Sequence, residues 1–154
     1  MTDSHSIQWT QSFAAGAAGA AVLTSVHQMA RGITADAPRM DVLGRRAIAR
    51  TIQAAGGTVP SPRALQRMAL AGDLLCNSAY YSLIACGRDA HLWRRAVVLG
   101  VAAGVGALLL PARLGLGDAP RSERPANQVM TVAWYLAGAL TTAAAAARFR
   151  AATA

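Results

Sequence analysis

Residues 96–110 read AVVLGVAAGVGALLL, a run of valine, leucine, alanine and glycine without a single charge. Arg94 and Arg95 stand directly before it, and Pro111 and Arg113 directly after. Extended to residues 94–116, the segment reaches the length of about 20 residues that crosses a bilayer as a helix. Three further segments share this poverty of charge: residues 127–147, residues 64–86 and residues 7–30. The segment at 64–86 is broken only by Asp73 at its centre, beyond the flanking Arg67. The one at 7–30 is mostly alanine and glycine and leans on its neighbours to stay in lipid. These four runs predict an all-α fold, an integral membrane four-helix bundle in a single domain.

Composition agrees with that expectation. The 154 residues are 54% hydrophobic and only 14% charged, where a soluble domain averages about a quarter charged. A soluble sphere of this size lacks the charges to cover itself here. The mean hydropathy of +0.31 is modest because much of the apolar content is alanine. All 15 basic side chains are arginine, and the formal net charge is +8. Such a balance suits nucleic acid or the anionic face of a membrane. No nucleic-acid-binding motif and no basic patch interleaved with aromatics is present, so lipid headgroups are the expected partner and nucleic acid is not. Cys76 and Cys86 lie ten residues apart on one predicted helix, roughly 15 Å along its axis and beyond disulfide reach. The opening MTDSHSIQWTQS lacks the positive residues of a secretory leader, which predicts a retained first helix.

Between the first two spans lies a polar segment that opens at Arg31. Asp36 reads as a helix N-cap and Pro38 as a first-turn residue. Over residues 37–55 the periodicity predicts an amphipathic interfacial helix. Met40, Leu43, Gly44, Ala47, Ile48, Thr51 and Ala54 share one side, and Asp41, Arg45, Arg46 and Gln53 the other, with Val42, Arg50 and Ile52 as exceptions. Gly56-Gly57 ends it. Ser61-Pro62 reads as the N-cap and first residue of the next helix.

The second span carries a polar face. Gln66, Asp73, Asn77 and Tyr80 fall within about 40° of one helical line. A carboxylate in hydrocarbon must face the interior and be paired or protonated. Asp73 is therefore the candidate centre of an ion or proton path lined by Asn77, Tyr80 and Tyr81. The favoured expectation is structural: an acid bonded to an arginine such as Arg39 or Arg45 and to a helix end, fixing the polar segment against the bundle. His27 is a candidate relay near the end of the first span, and Arg39, Arg45, Arg46 and Arg50 are candidate contacts for an anionic headgroup. Trp9, Trp93 and Trp134 with Tyr135 sit near span ends, as in aromatic belts. In the third span Gly100 and Gly104 form a GxxxG, expected to pack inside the bundle more than between chains.

No metalloprotease, nucleophile-elbow, phosphate-loop or paired-carboxylate motif occurs. Catalytic residues, metal and cofactor are accordingly not expected. Counting arginines by loop places ten on the side of loops 31–63 and 111–126 and five opposite. The positive-inside bias then makes those loops cytoplasmic and both termini external, in a bacterial inner membrane. The expected function is a non-enzymatic scaffold or accessory subunit, as a homodimer or within a larger membrane complex. The alternative is a small ion- or proton-coupled transporter or channel centred on Asp73. A lipid-headgroup-binding enzyme is the remotest reading.

Overall fold

The computed structural model describes residues 2–34, 37–86, 89–120 and 122–152. Five helices follow in order: α1 (Thr2–Ile33), α2 (Met40–Ala54), α3 (Pro62–Ala85), α4 (Leu92–Arg113) and α5 (Pro125–Ala151). A short 3-10 turn, Asp89–His91, precedes α4, and no strand occurs among the described residues. The fold is all-helical. Helices α4 and α5 are long and apolar enough to cross a membrane. α1 and α3 have the length but fall outside the same measure, the first through its glycines and polar residues and the second through Asp73, Asn77 and its tyrosines.

α1 lies against both α3 and α5, α4 packs chiefly on α5, and α2 rests on the first half of α3. The connections place α2, the C-terminal ends of α1 and α4 and the N-terminal ends of α3 and α5 at one end of the bundle. There the Arg39 amide donates to the carbonyl of Pro120 at 3.3 Å. At the opposite end the Arg150 guanidinium donates to the Ala85 carbonyl.

Helix ends follow local chemistry. Ser61 caps α3, its hydroxyl accepting from the Ala64 amide at 3.4 Å, and Pro62 occupies the first turn. α2 ends in a Schellman motif: the Gly57 amide reaches the Ile52 carbonyl and the Gly56 amide that of Gln53. Gly56, at φ 75°, takes the left-handed position that this closure needs. The start of α2 differs from expectation. It begins at Met40 behind Arg39, which makes no side-chain cap, so Pro38 precedes the helix instead of lying in its first turn. The expected cap, Asp36, lies outside the described residues. α4 runs through Pro111 to Arg113 and closes with another Schellman motif, Leu116 N–H to Pro111 C=O and Gly115 N–H to Ala112 C=O. A proline in the last turn removes one amide donor and leaves the following turn free to close.

Packing inside the bundle is made by small and polar side chains. Ala15, Ala20, Ala96, Ala139 and Ala143 are fully buried, together with Thr131 and Thr142, while Ser78 and Asn127 are nearly so. Leu23, Tyr81 and Ile84 are the large apolar or aromatic groups among the fully buried side chains. Close backbone approach is the reason. A Cβ on Gly138 would stand 2.9 Å from the Gly19 carbonyl oxygen and 2.8 Å from the Tyr81 hydroxyl. The GxxxG of α4 faces α5: a Cβ on Gly100 would lie 3.1 Å from Leu136 Cα, and one on Gly104 2.7 Å from Val132 Cα. That motif is used within the chain.

Candidate functional site

Asp73 lies on the face of α3 turned toward α1. Thr24 Oγ1 donates to its Oδ2 at 3.3 Å, and Asn77 Nδ2, one turn along the same helix, donates to its Oδ1 at 2.9 Å. Asn77 shares the face because four residues bring a side chain back to nearly the same azimuth. Arginine is not among its partners. Arg39 and Arg45, expected as structural partners of Asp73, instead hold Asp41. Arg39 Nε lies 3.1 Å and Arg45 Nη2 3.2 Å from its oxygens, and Arg31 Nη1 joins at 3.6 Å. The reason is reach: α2 rests on the start of α3, and Asp41 is its own first-turn acid.

The remaining members of the polar face divide. Tyr80 donates its hydroxyl to the Leu99 carbonyl on α4 at 3.0 Å. Tyr81 donates to the Tyr135 carbonyl on α5 at 2.8 Å. Both tyrosines thus tie α3 to a neighbouring helix. Gln66 stays half-buried near the start of α3, apart from them. His27 packs edge-on against Trp134, ring centroids 4.8 Å apart at 77°, and more distantly against Tyr135 at 6.1 Å. Its Nε2 is buried without a hydrogen-bond partner. Trp134 and Tyr135 therefore serve an internal contact and not the expected outer belt, whereas Trp9 and Trp93 are exposed. The structure brings Thr24, Asp73 and Asn77 into direct contact. His27, one turn from Thr24 on α1, contacts the aromatic pair of α5 instead.

The Arg-rich end forms a second polar constellation. Asp41, with a side chain only 10% exposed, is pulled upward in pKa by burial. The hydrogen bond from Arg39 and the charges of Arg31, Arg39 and Arg45 outweigh this and hold it below the usual aspartate value of 3.8. Arg46 Nη1 donates to the carbonyls of Leu116 at 3.0 Å and Asp118 at 3.1 Å, and Arg50 Nη1 to that of Gly115. Gly115 and Gly117, at φ 70° and 71°, turn the loop so that these carbonyls converge on α2. The four arginines of the expected headgroup face thus bind the protein itself.

Thr24 as the cross-helix donor to Asp73 is a residue that reading α3 alone misses. Its signal was its nearness to the line of Gly16, Ala20 and His27 on α1. Asp41 as a hub was legible only as the acid amid Arg39, Arg45 and Arg46. No group of three or more His, Cys, Asp or Glu side chains converges among the described residues. Chemically, the site offers a carboxylate held by two neutral donors, the Thr24 hydroxyl and the Asn77 amide. No family model, no curated protein and no solved structure matches this chain.

Proposed function

We propose that this chain is a four-span membrane protein acting as a non-enzymatic scaffold or accessory subunit, with α1, α3, α4 and α5 in lipid and α2 at the interface. One observation carries the membrane part: the distribution of side-chain size is inverted relative to a soluble domain. The interior is mostly alanine, glycine, serine and threonine around the few large groups Leu23, Tyr81 and Ile84, while Val97, Val98, Val101, Val105, Leu109 and Leu110 are exposed on α4. Water disfavours such a surface. Lipid does not, and between helices in lipid small residues and interhelical hydrogen bonds supply the association. The scaffold part is supported by the use of the polar groups. Asp73, Tyr80 and Tyr81 each engage a neighbouring helix and so hold the bundle together.

α3 is the span whose composition argues least for itself, and Cys76 tests it. This thiol is exposed on the protein surface near the middle of α3. In vesicles, with Cys86→Ser removing the second thiol, Cys76 is expected to resist a membrane-impermeant maleimide until detergent is added. Rapid labelling in intact vesicles removes α3 from the bilayer.

Proton or ion coupling at Asp73 is the second reading, favoured by a carboxylate whose partners are Thr24 and Asn77 and not an arginine. Asp73→Asn in proteoliposomes separates the two. Flux in the wild type that vanishes in a folded variant supports coupling, and no flux in either supports the scaffold. The remaining reading, a headgroup enzyme on α2, loses its footing because Arg39 and Arg45 hold Asp41 and Arg46 and Arg50 hold loop carbonyls.

A further inference from the structure

The arginines of the α2 end fall into two sets. Arg31, Arg39, Arg45, Arg46 and Arg50 are committed to Asp41 or to the carbonyls of the α4–α5 loop. Arg63 and Arg67 are exposed and make no ion pair among the described residues. They stand on successive turns of α3, and the same stripe continues into Leu70 and Leu74, exposed at 41% and 39%. On a helix these four positions fall within about 60° of one another. Two guanidinium groups one turn apart therefore sit directly above a strip of leucine. Arg113 repeats the order on α4, exposed one turn beyond the exposed Leu109 and Leu110.

We propose that Arg63 and Arg67 grip the phosphodiester of one anionic phospholipid, whose acyl chain runs along Leu70 and Leu74. This rests on the membrane reading above and names the lipid class that reading left open. The argument is one of charge and order. Two like charges at this spacing repel each other slightly, so they gain from a single anion held between them. Arginine's planar fork matches phosphate oxygens. A partner with an anion at one end and hydrocarbon below it at the same spacing is a phospholipid. An acidic protein would meet the arginines but leave the leucines uncovered.

The test uses the full chain in nanodiscs of phosphatidylcholine containing a minor fraction of phosphatidylglycerol, with retained lipid read by native mass spectrometry. Wild type is expected to retain phosphatidylglycerol over phosphatidylcholine. R63Q/R67Q should lose that preference by about 25-fold, since each juxtamembrane cation contributes roughly fivefold. R63K/R67K should fall between, keeping charge without the fork. Unchanged helicity by circular dichroism establishes that the variants fold. Equal retention of phosphatidylglycerol by wild type and R63Q/R67Q overturns the site. So does a wild type that inserts but shows no preference, or one that holds an acidic protein there instead. A chain that does not enter the nanodisc at all overturns the membrane reading, and this site with it.

Discussion

The outer side of α4 and the seam between α1 and α5 are built from opposite materials. The outer side is valine and leucine, more than a third exposed at each of Val97, Val98, Val101, Val105 and Leu109. The seam is Gly19 against Gly138, with the Thr142 side chain crowding the position a Gly19 Cβ would take. In a soluble bundle the large apolar groups would fill the seam and the polar ones would coat the surface. Their exchange teaches what holds this molecule together. Helix association here comes from close backbone approach and from hydroxyl, amide and carboxylate hydrogen bonds, and apolar surface is left over for something else to cover.

Three substitutions break or sharpen that contrast. The largest effect belongs to the seam. Gly138→Leu drives a branched side chain into the Gly19 backbone and the Tyr81 hydroxyl and should cost about 3 kcal/mol or more. A thermal melt in detergent should show the folded bundle lost. Next comes the outer surface. Val101→Asp places a charge among the exposed valines, and in lipid should cost about 2.5–3.5 kcal/mol at the centre of a span. At a water-exposed site the same change would fall within about 0.5 kcal/mol. Translocon-insertion efficiency of α4 reads the difference directly.

The smallest effect is at the α2 end. Asp41→Asn loses the charge that Arg31, Arg39 and Arg45 surround and should cost about 1 kcal/mol at neutral pH. Its sign with pH is fixed. The folded carboxyl titrates below the usual aspartate value, so its stabilisation is present above that value and is lost as pH falls through the folded one. Wild type and variant should therefore converge in stability in acid, which a pH series of melts checks.

The helices were legible because charge is so scarce here. Runs at 94–116 and 127–147 correspond to α4 and α5, and Ser61-Pro62 marks the start of α3 where its cap lies. The helical character of the 37–55 segment was legible too, but not its start, since Arg39 opens α2 without a side-chain cap. For the site, the α3 line identified Asp73 with Asn77 because both lie on one helix. What joined them from outside was not legible. Thr24 lies near the line of Gly16, Ala20 and His27 on α1, but periodicity says nothing of which helix a face meets. Arginine pairing was misassigned for a different reason: Arg39 and Arg45 stand two residues before and four after Asp41, a local spacing that outcompetes any distant acid, and they hold it. Trp134 and Tyr135 read as belt residues from their place near a span end, yet the azimuth of α5 turns them onto His27.

Everything about sidedness and the half-buried Asp73 depends on hydrocarbon meeting the valines of α4. The most direct measurement is flotation: the purified chain is diluted from detergent into phospholipid vesicles, washed with alkaline carbonate and centrifuged through a density gradient. The account predicts that it rises with the vesicles and precipitates when detergent is withdrawn without them. A chain that stays monomeric in plain buffer and sediments apart from the lipid contradicts it.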